Sequence, residues 1–149
     1  ILRWSQWKQQ DYGARLVTSP GELERFLLPL SAAGVDIFHC STRRFWEPEF
    51  EGSDLNLAGW TRKITGKPAI TVGSVGLSTD FIPAPGETAF KAAEPASLDE
   101  LVKRVAAEEF DLVAVGRALI ANPEWANMVA NQRSEDLKAF DVAMLGSLV

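Results

Sequence analysis

Two glycine turns and an arginine are where this chain carries residue types suited to chemistry. In Val113-Ala114-Val115-Gly116-Arg117-Ala118-Leu119-Ile120-Ala121-Asn122-Pro123 an apolar, β-branched run reads as a buried strand. Gly116 then permits a tight turn, and residues 117–121 are good helix formers that stop near Pro123. A helix start leaves backbone N–H groups without intrahelical partners and carries partial positive charge, so a dianionic phosphate is stabilised there. Arg117 would add a planar, bidentate donor. The pattern recurs in Ile70-Thr71-Val72-Gly73-Ser74-Val75-Gly76, where glycines again follow a strand. Amides from the two loops could share one phosphate. The same residues also suit plain turns, with glycines serving geometry alone and the arginine on the surface.

Other reactive residue types are sparse. His39 is the single histidine and Cys40 the single cysteine, which leaves no credible metal site and no internal disulfide. His39 suits either acid–base work or a hydrogen bond at a strand end, and Cys40 reads as a small buried hydrophobe. Phe45, Trp46 and Trp60 could line a pocket or pack a long loop down. Glu47, Glu49 and Glu51 read as a solvated face, with Arg43 and Arg44 near enough to pair. The chain has 149 residues, 46% hydrophobic and 23% charged, with a net charge of −5. That composition suits one soluble compact unit over residues 1–149 and argues against a nucleic-acid partner. Without a membrane-length apolar run or a signal-peptide pattern, the expected location is cytoplasmic.

The elements that must position these residues follow from caps and periodicity. Residues 1–5 read as a strand that begins abruptly, with no initiator methionine before it, and residues 6–18 as a polar loop. Ser19-Pro20-Gly21-Glu22 opens a helix with a capping box, and Leu23, Phe26, Leu27 and Leu30 share one face; Pro29 should distort its last turns and Gly34 should stop it. Strands are predicted over 35–40, 69–72 and 111–115, and helices over 56–65, 97–105, 125–134 and 136–148. Residues 78–96 read as a long loop, and Leu98, Leu101, Val102 and Val105 should form one apolar face. The later strands start roughly 35 to 40 residues apart, the spacing of βα units in a parallel sheet. Short apolar strands suggest that both sheet faces are covered, with the chemistry at the strands' C-terminal ends.

Four stretches together resemble the FMN-dependent NADH:flavin oxidoreductases of the old yellow enzyme type. They are Arg3-Trp4-Ser5-Gln6-Trp7-Lys8, His39-Cys40-Ser41-Thr42-Arg43-Arg44-Phe45-Trp46-Glu47-Pro48, the run from Ile70 through Gly76, and the run from Val115 through Pro123. The resemblance implies an α/β fold, the C-terminal part (about strands five to eight) of a (β/α)8 TIM barrel, with residues 1–149 carrying the FMN phosphate-binding end. By that resemblance Gly73, Ser74, Gly116 and Arg117 hold the phosphate. The resemblance likewise implies that Arg3 lies near the N1 and O2 edge of the flavin ring, where positive charge would stabilise the reduced flavin.

The implied activity is NAD(P)H-dependent hydride transfer through FMN to a small electrophilic acceptor. The family's substrate-gripping loop and proton-donating tyrosine would lie before Ile1, so no catalytic residue is assigned. The implied partner is the missing N-terminal half of the barrel, or a second copy covering exposed sheet edges. Two other readings stay open: a non-catalytic, self-associating, phosphate-binding half-barrel, and another phosphate-handling barrel such as an isomerase or aldolase.

Overall fold

The computed structural model describes residues 1–8, 11, 13–80 and 91–146. Two compact units are present, Ile1–Gly73 with Asp99–Ala114, and Ser74–Leu98 with Val115–Val149.

The first unit is built on a parallel four-stranded sheet: β1 (Leu2–Trp4), β2 (Phe38–Ser41), β3 (Ala69–Val72) and β4 (Leu112–Val113), paired in that order. Arg3 stands opposite His39, His39 opposite Ile70, and Ile70 opposite Leu112. Because side chains alternate along a strand, this register separates two faces. Trp4, Phe38, Cys40, Ala69 and Thr71 are buried on one of them. Arg3, His39, Ile70 and Leu112 share the other, which is half-exposed to exposed. Only one face is thus well buried, where two covered faces were expected.

Helix α1 (Pro20–Ala32) starts as predicted, with Ser19 Oγ accepting from Glu22 N at 3.3 Å. Glu22 reaches back to Thr18 rather than Ser19, accepting from its N–H at 2.7 Å and its hydroxyl at 2.8 Å. Those bonds, the backbone one foremost, hold the Glu22 carboxyl below its usual range. The helix runs through Pro29, which lies on its exposed side. Gly34, at φ +104°, follows its end. Leu23 and Leu27 are fully buried, and Phe26 packs on Trp4 with ring centroids 5.3 Å apart. Val35 N still donates to Leu30 O, so β2 begins at Phe38 rather than at Val35.

Helix α2 (Leu57–Thr65) packs on β2, β3 and α1, and Gly66 closes it in the left-handed conformation. Helix α3 (Asp99–Ala106) departs from its predicted face: Leu101 is buried, but Val102 and Val105 are 63% and 42% exposed. The inward position is taken instead by Arg104, which meets Glu109 at 3.1 Å, Glu100 at 2.7 Å and the Trp46 carbonyl at 3.0 Å. Strand β4 is shorter than predicted. The Asp111 carboxylate accepts from Ala69 N at 2.9 Å and pairs with Arg62 at 3.1 Å.

The second unit holds α4 (Arg117–Ala121), α5 (Trp125–Ala130) and short 3₁₀ turns at Ser134–Asp136 and Val142–Gly146. The predicted helix over 136–148 does not form among the described residues. Phe140 is fully buried and exchanges backbone hydrogen bonds with Ala93 at 2.8 and 2.9 Å, which requires extended geometry. Asn122 likewise grips Lys138 N and O at 2.8 and 3.0 Å. The predicted helix over 125–134 ends at Ala130, with Gln132 at φ +57°. Ser78 N bonds Glu94 O at 2.9 Å, clamping the two ends of the long loop; residues 81–90 of that loop lie outside the described residues. No helix among the described residues is long and apolar enough to cross a membrane.

Candidate functional site

Ser74 and Arg117 come together within the second unit. Arg117 Nη2 donates to Thr79 O at 2.8 Å and to Ser74 Oγ at 3.3 Å, while the guanidinium carbon lies 5.7 Å from the centre of the Phe140 ring. Ser74 Oγ in turn donates to Thr79 O at 3.3 Å. Burial pulls the guanidinium below its ordinary value and the Asp80 charge opposes that shift. Arginine's ordinary value is high enough that it stays cationic.

The glycines differ in what they must be. Gly73 sits at φ +153°, and a Cβ there would lie 2.6 Å from Thr42 Oγ1 and 2.7 Å from Thr42 O. Close packing of the loop after β2 onto the end of β3 therefore demands glycine, with or without a ligand. Thr42 N and Oγ1 both donate to Val72 O, at 3.0 and 2.7 Å, and Phe45 N donates to Gly73 O at 3.1 Å. Ser74 follows with φ +48° and Gly76 with φ +69°, and a Cβ on Gly76 would touch Trp125 and Leu98 at 3.4 to 3.6 Å. At Gly116 a Cβ would meet nothing within 4 Å. A guanidinium, a hydroxyl and a glycine open to approach make a donor set that fits a phosphate.

Arg3 lies in the first unit, on the more exposed sheet face. Its Nη1 is 3.2 Å from His39 Nε2, and its Nη2 donates to Ser41 Oγ at 3.2 Å. Burial foremost, then the Arg3 charge, holds His39 below the usual histidine value. Cys40 points to the opposite face, fully buried, with Sγ 3.3 Å from Thr61 Oγ1; burial pushes its thiol up to about 12, which removes it from nucleophilic chemistry.

The loop after β2 is packed down by its aromatics. Phe45 is buried and meets Trp46 edge-on at 5.2 Å, and Phe50 meets Trp60 at 5.5 Å. Arg44 pairs with Glu47 at 2.6 Å. Glu49 departs from the solvated face expected of it: Gln6 Nε2 donates to it at 2.8 Å, and burial raises its carboxyl despite that bond and the nearby Arg15. Gln6, Trp7, Arg15, Arg43 and Glu49 line part of a cavity of about 130 Å³, room for a few waters.

Sequence reasoning passed over the residue that joins these parts. Asn56 is fully buried, and its Nδ2 donates to Phe45 O at 2.8 Å and Thr71 Oγ1 at 3.1 Å while its Oδ1 accepts from Gly59 N at 2.9 Å. The signal available was an asparagine at a helix start, a common N-cap.

Fold and site together define a parallel α/β protein with a cation–hydroxyl pair beside a glycine turn. The chain matches no protein-family model and no curated protein. Among solved structures it is similar to morphinone reductase, with a TM-score of 0.58 at 16% identity, over 95% of this chain and 31% of that one. This likeness gives the fold. The chain spans less than a third of morphinone reductase, and the activity in that name is that protein's own.

Proposed function

We propose that this chain carries the phosphate-binding end of an FMN-dependent, NAD(P)H-driven oxidoreductase built on a TIM barrel, and that it corresponds to about strands five to eight. The observation carrying the reading is the Arg117–Ser74 pair beside Gly116, whose approach is open. The four-motif resemblance to old yellow enzyme-type proteins and a fold shared with a reductase support it. Arg117 would neutralise the phosphate, Ser74 would turn its hydroxyl from Thr79 O to it, and the backbone of Gly116 would approach without a side chain in the way. Arg3 would present positive charge to the ring edge where electron density accumulates on reduction. Bound FMN would supply hydride transfer from NAD(P)H to a small electrophilic acceptor.

The test is an FMN titration followed by flavin fluorescence, with the chain alone and with an N-terminal barrel half supplied. Arg117→Gln should weaken binding roughly 10- to 100-fold, the worth of a charge-assisted phosphate contact. Absence of flavin binding under both conditions refutes the reading.

A second reading, a self-associating phosphate-binding half-barrel without catalysis, is favoured by one observation. Outer strand β4 exposes Leu112 at 52%. Unpaired strand edges recruit other strands. Concentration-dependent dimerisation in sedimentation without FMN would support it, and a monomer at all concentrations would remove it.

A further inference from the structure

The Arg3–His39 contact is fixed by register, since the two residues are directly opposed on β1 and β2, and Ser41 lies two residues further along β2 on the same face. An arginine has no acceptor, so the 3.2 Å contact requires His39 Nε2 to accept and the ring proton to sit on Nδ1. Ser41 Oγ accepts from the second guanidinium nitrogen. Two acceptors on adjacent nitrogens of a planar fork leave it one orientation, whereas a lone exposed arginine samples many. The charged group facing His39 is Arg3, and its other in-register neighbour, on β3, is the apolar Ile70. Nothing in this cluster neutralises Arg3: both partners are uncharged acceptors, so the full positive charge is kept while its direction is set. Ion pairing would have cancelled it.

We propose that His39 and Ser41 are positioning residues for Arg3, holding its guanidinium in one direction on the more exposed face of the sheet so that its charge can meet an electron-rich ligand edge. That the ligand edge is a flavin ring rests on the proposed function; the pairing itself does not. Protonation of His39 removes the acceptor and places a second cation beside the first, so the arrangement belongs to the neutral imidazole.

The single histidine makes the test direct. Two-bond ¹H–¹⁵N spectra of the labelled chain report the tautomer and the titration midpoint of His39 without flavin. The expected result is an Nδ1–H tautomer at neutral pH, with a midpoint that rises in Arg3→Met. An Nε2–H tautomer, or a midpoint unmoved in Arg3→Met, overturns the proposal.

A second measurement separates positioning from the flavin reading by comparing affinities for reduced and oxidised FMN. That ratio should fall roughly three- to tenfold in His39→Leu, the range of a lost hydrogen bond to a charged group at a partly solvated site, and recover in His39→Gln, whose amide oxygen can accept. An unchanged ratio in His39→Leu overturns the role. Failure of both redox forms to bind, with the Nδ1–H tautomer and the Arg3→Met shift intact, overturns the flavin reading and supports the positioning.

Discussion

Replacing Asn56 should unfasten the first unit at its most shared point. The Asn56 side chain makes three hydrogen bonds while fully buried: it caps α2 through Gly59 N, and it tethers the loop after β2 through Phe45 O and β3 through Thr71 Oγ1. Asn56→Ala removes all three. The cap is worth about 1 kcal/mol and each tether about 1 kcal/mol, so the expected loss is roughly 3 kcal/mol. Asn56→Asp separates the contributions, because a carboxylate can still cap but cannot donate to Phe45 O. It would also bury a negative charge close to Glu109, whose Oε1 accepts from Asn56 N at 2.8 Å. At neutral pH the Asp variant should be at least as unstable as the Ala variant. Burial raises the new carboxyl above its unfolded value, so the folded state binds a proton more readily than the unfolded state. The Asp deficit therefore shrinks as pH falls through that raised value, while the Ala deficit stays constant. Urea unfolding followed by tryptophan fluorescence and circular dichroism, at about pH 7.5 and about pH 5, reads both effects. An Asn56→Ala loss below about 1 kcal/mol would mean that only the cap matters, and would refute the tethering argument.

Cys40, buried and with its thiol pushed up to about 12, should resist a thiol reagent in the native chain and react promptly in denaturant; fast native labelling would contradict its placement. Gly73→Ala should cost at least about 2 kcal/mol, since its Cβ would overlap Thr42 backbone and side chain at a positive φ, whereas Gly116→Ala should stay within about 1 kcal/mol; equal losses in urea midpoints would refute the distinction. Glu49, its carboxyl raised chiefly by burial, contributes its stability fully below the unfolded value and loses it as pH rises through the folded one. Glu49→Gln keeps an acceptor for Gln6 and should gain on the parent as pH rises from the ordinary carboxylate range through the raised folded value, and parallel stability curves would exclude that linkage.

Elements set by local chemistry were legible in the sequence. β3 over Ala69–Val72 and α4 over Arg117–Ala121 fall where their turn residues predict, because Gly66, Gly73 and Gly116 mark boundaries within a few bonds of themselves. Errors arose where a distant partner decided. Phe140 is extended because Ala93 pairs with it, and Val102 faces solvent because Arg104 turns inward to Glu109. The candidate site divides the same way. Glycines after strands announce themselves in the chain, and Ser74 and Arg117 do meet, while the Arg3–His39 contact depends on a register between strands that no local pattern encodes.

That register also ties the buried side of the sheet to its polar side. Pairing Arg3 with His39 is what sends Trp4, Phe38 and Cys40 to the buried face, and a slip of one residue would exchange the two sets. Apolar packing on the opposite face therefore keeps Arg3 beside His39 and Ser41, whose hydrogen bonds set the direction of its guanidinium. At the C-terminal strand ends the logic reverses. There the loop after β2 is held by polar groups, buried Asn56 to Phe45 O and half-buried Arg104 to Trp46 O, which fix position through directed bonds. Packing sets which side chains face the open side, and hydrogen bonds set where the loop beside them lies. A ligand site at this edge needs both, since an apolar core alone would leave its rim undirected.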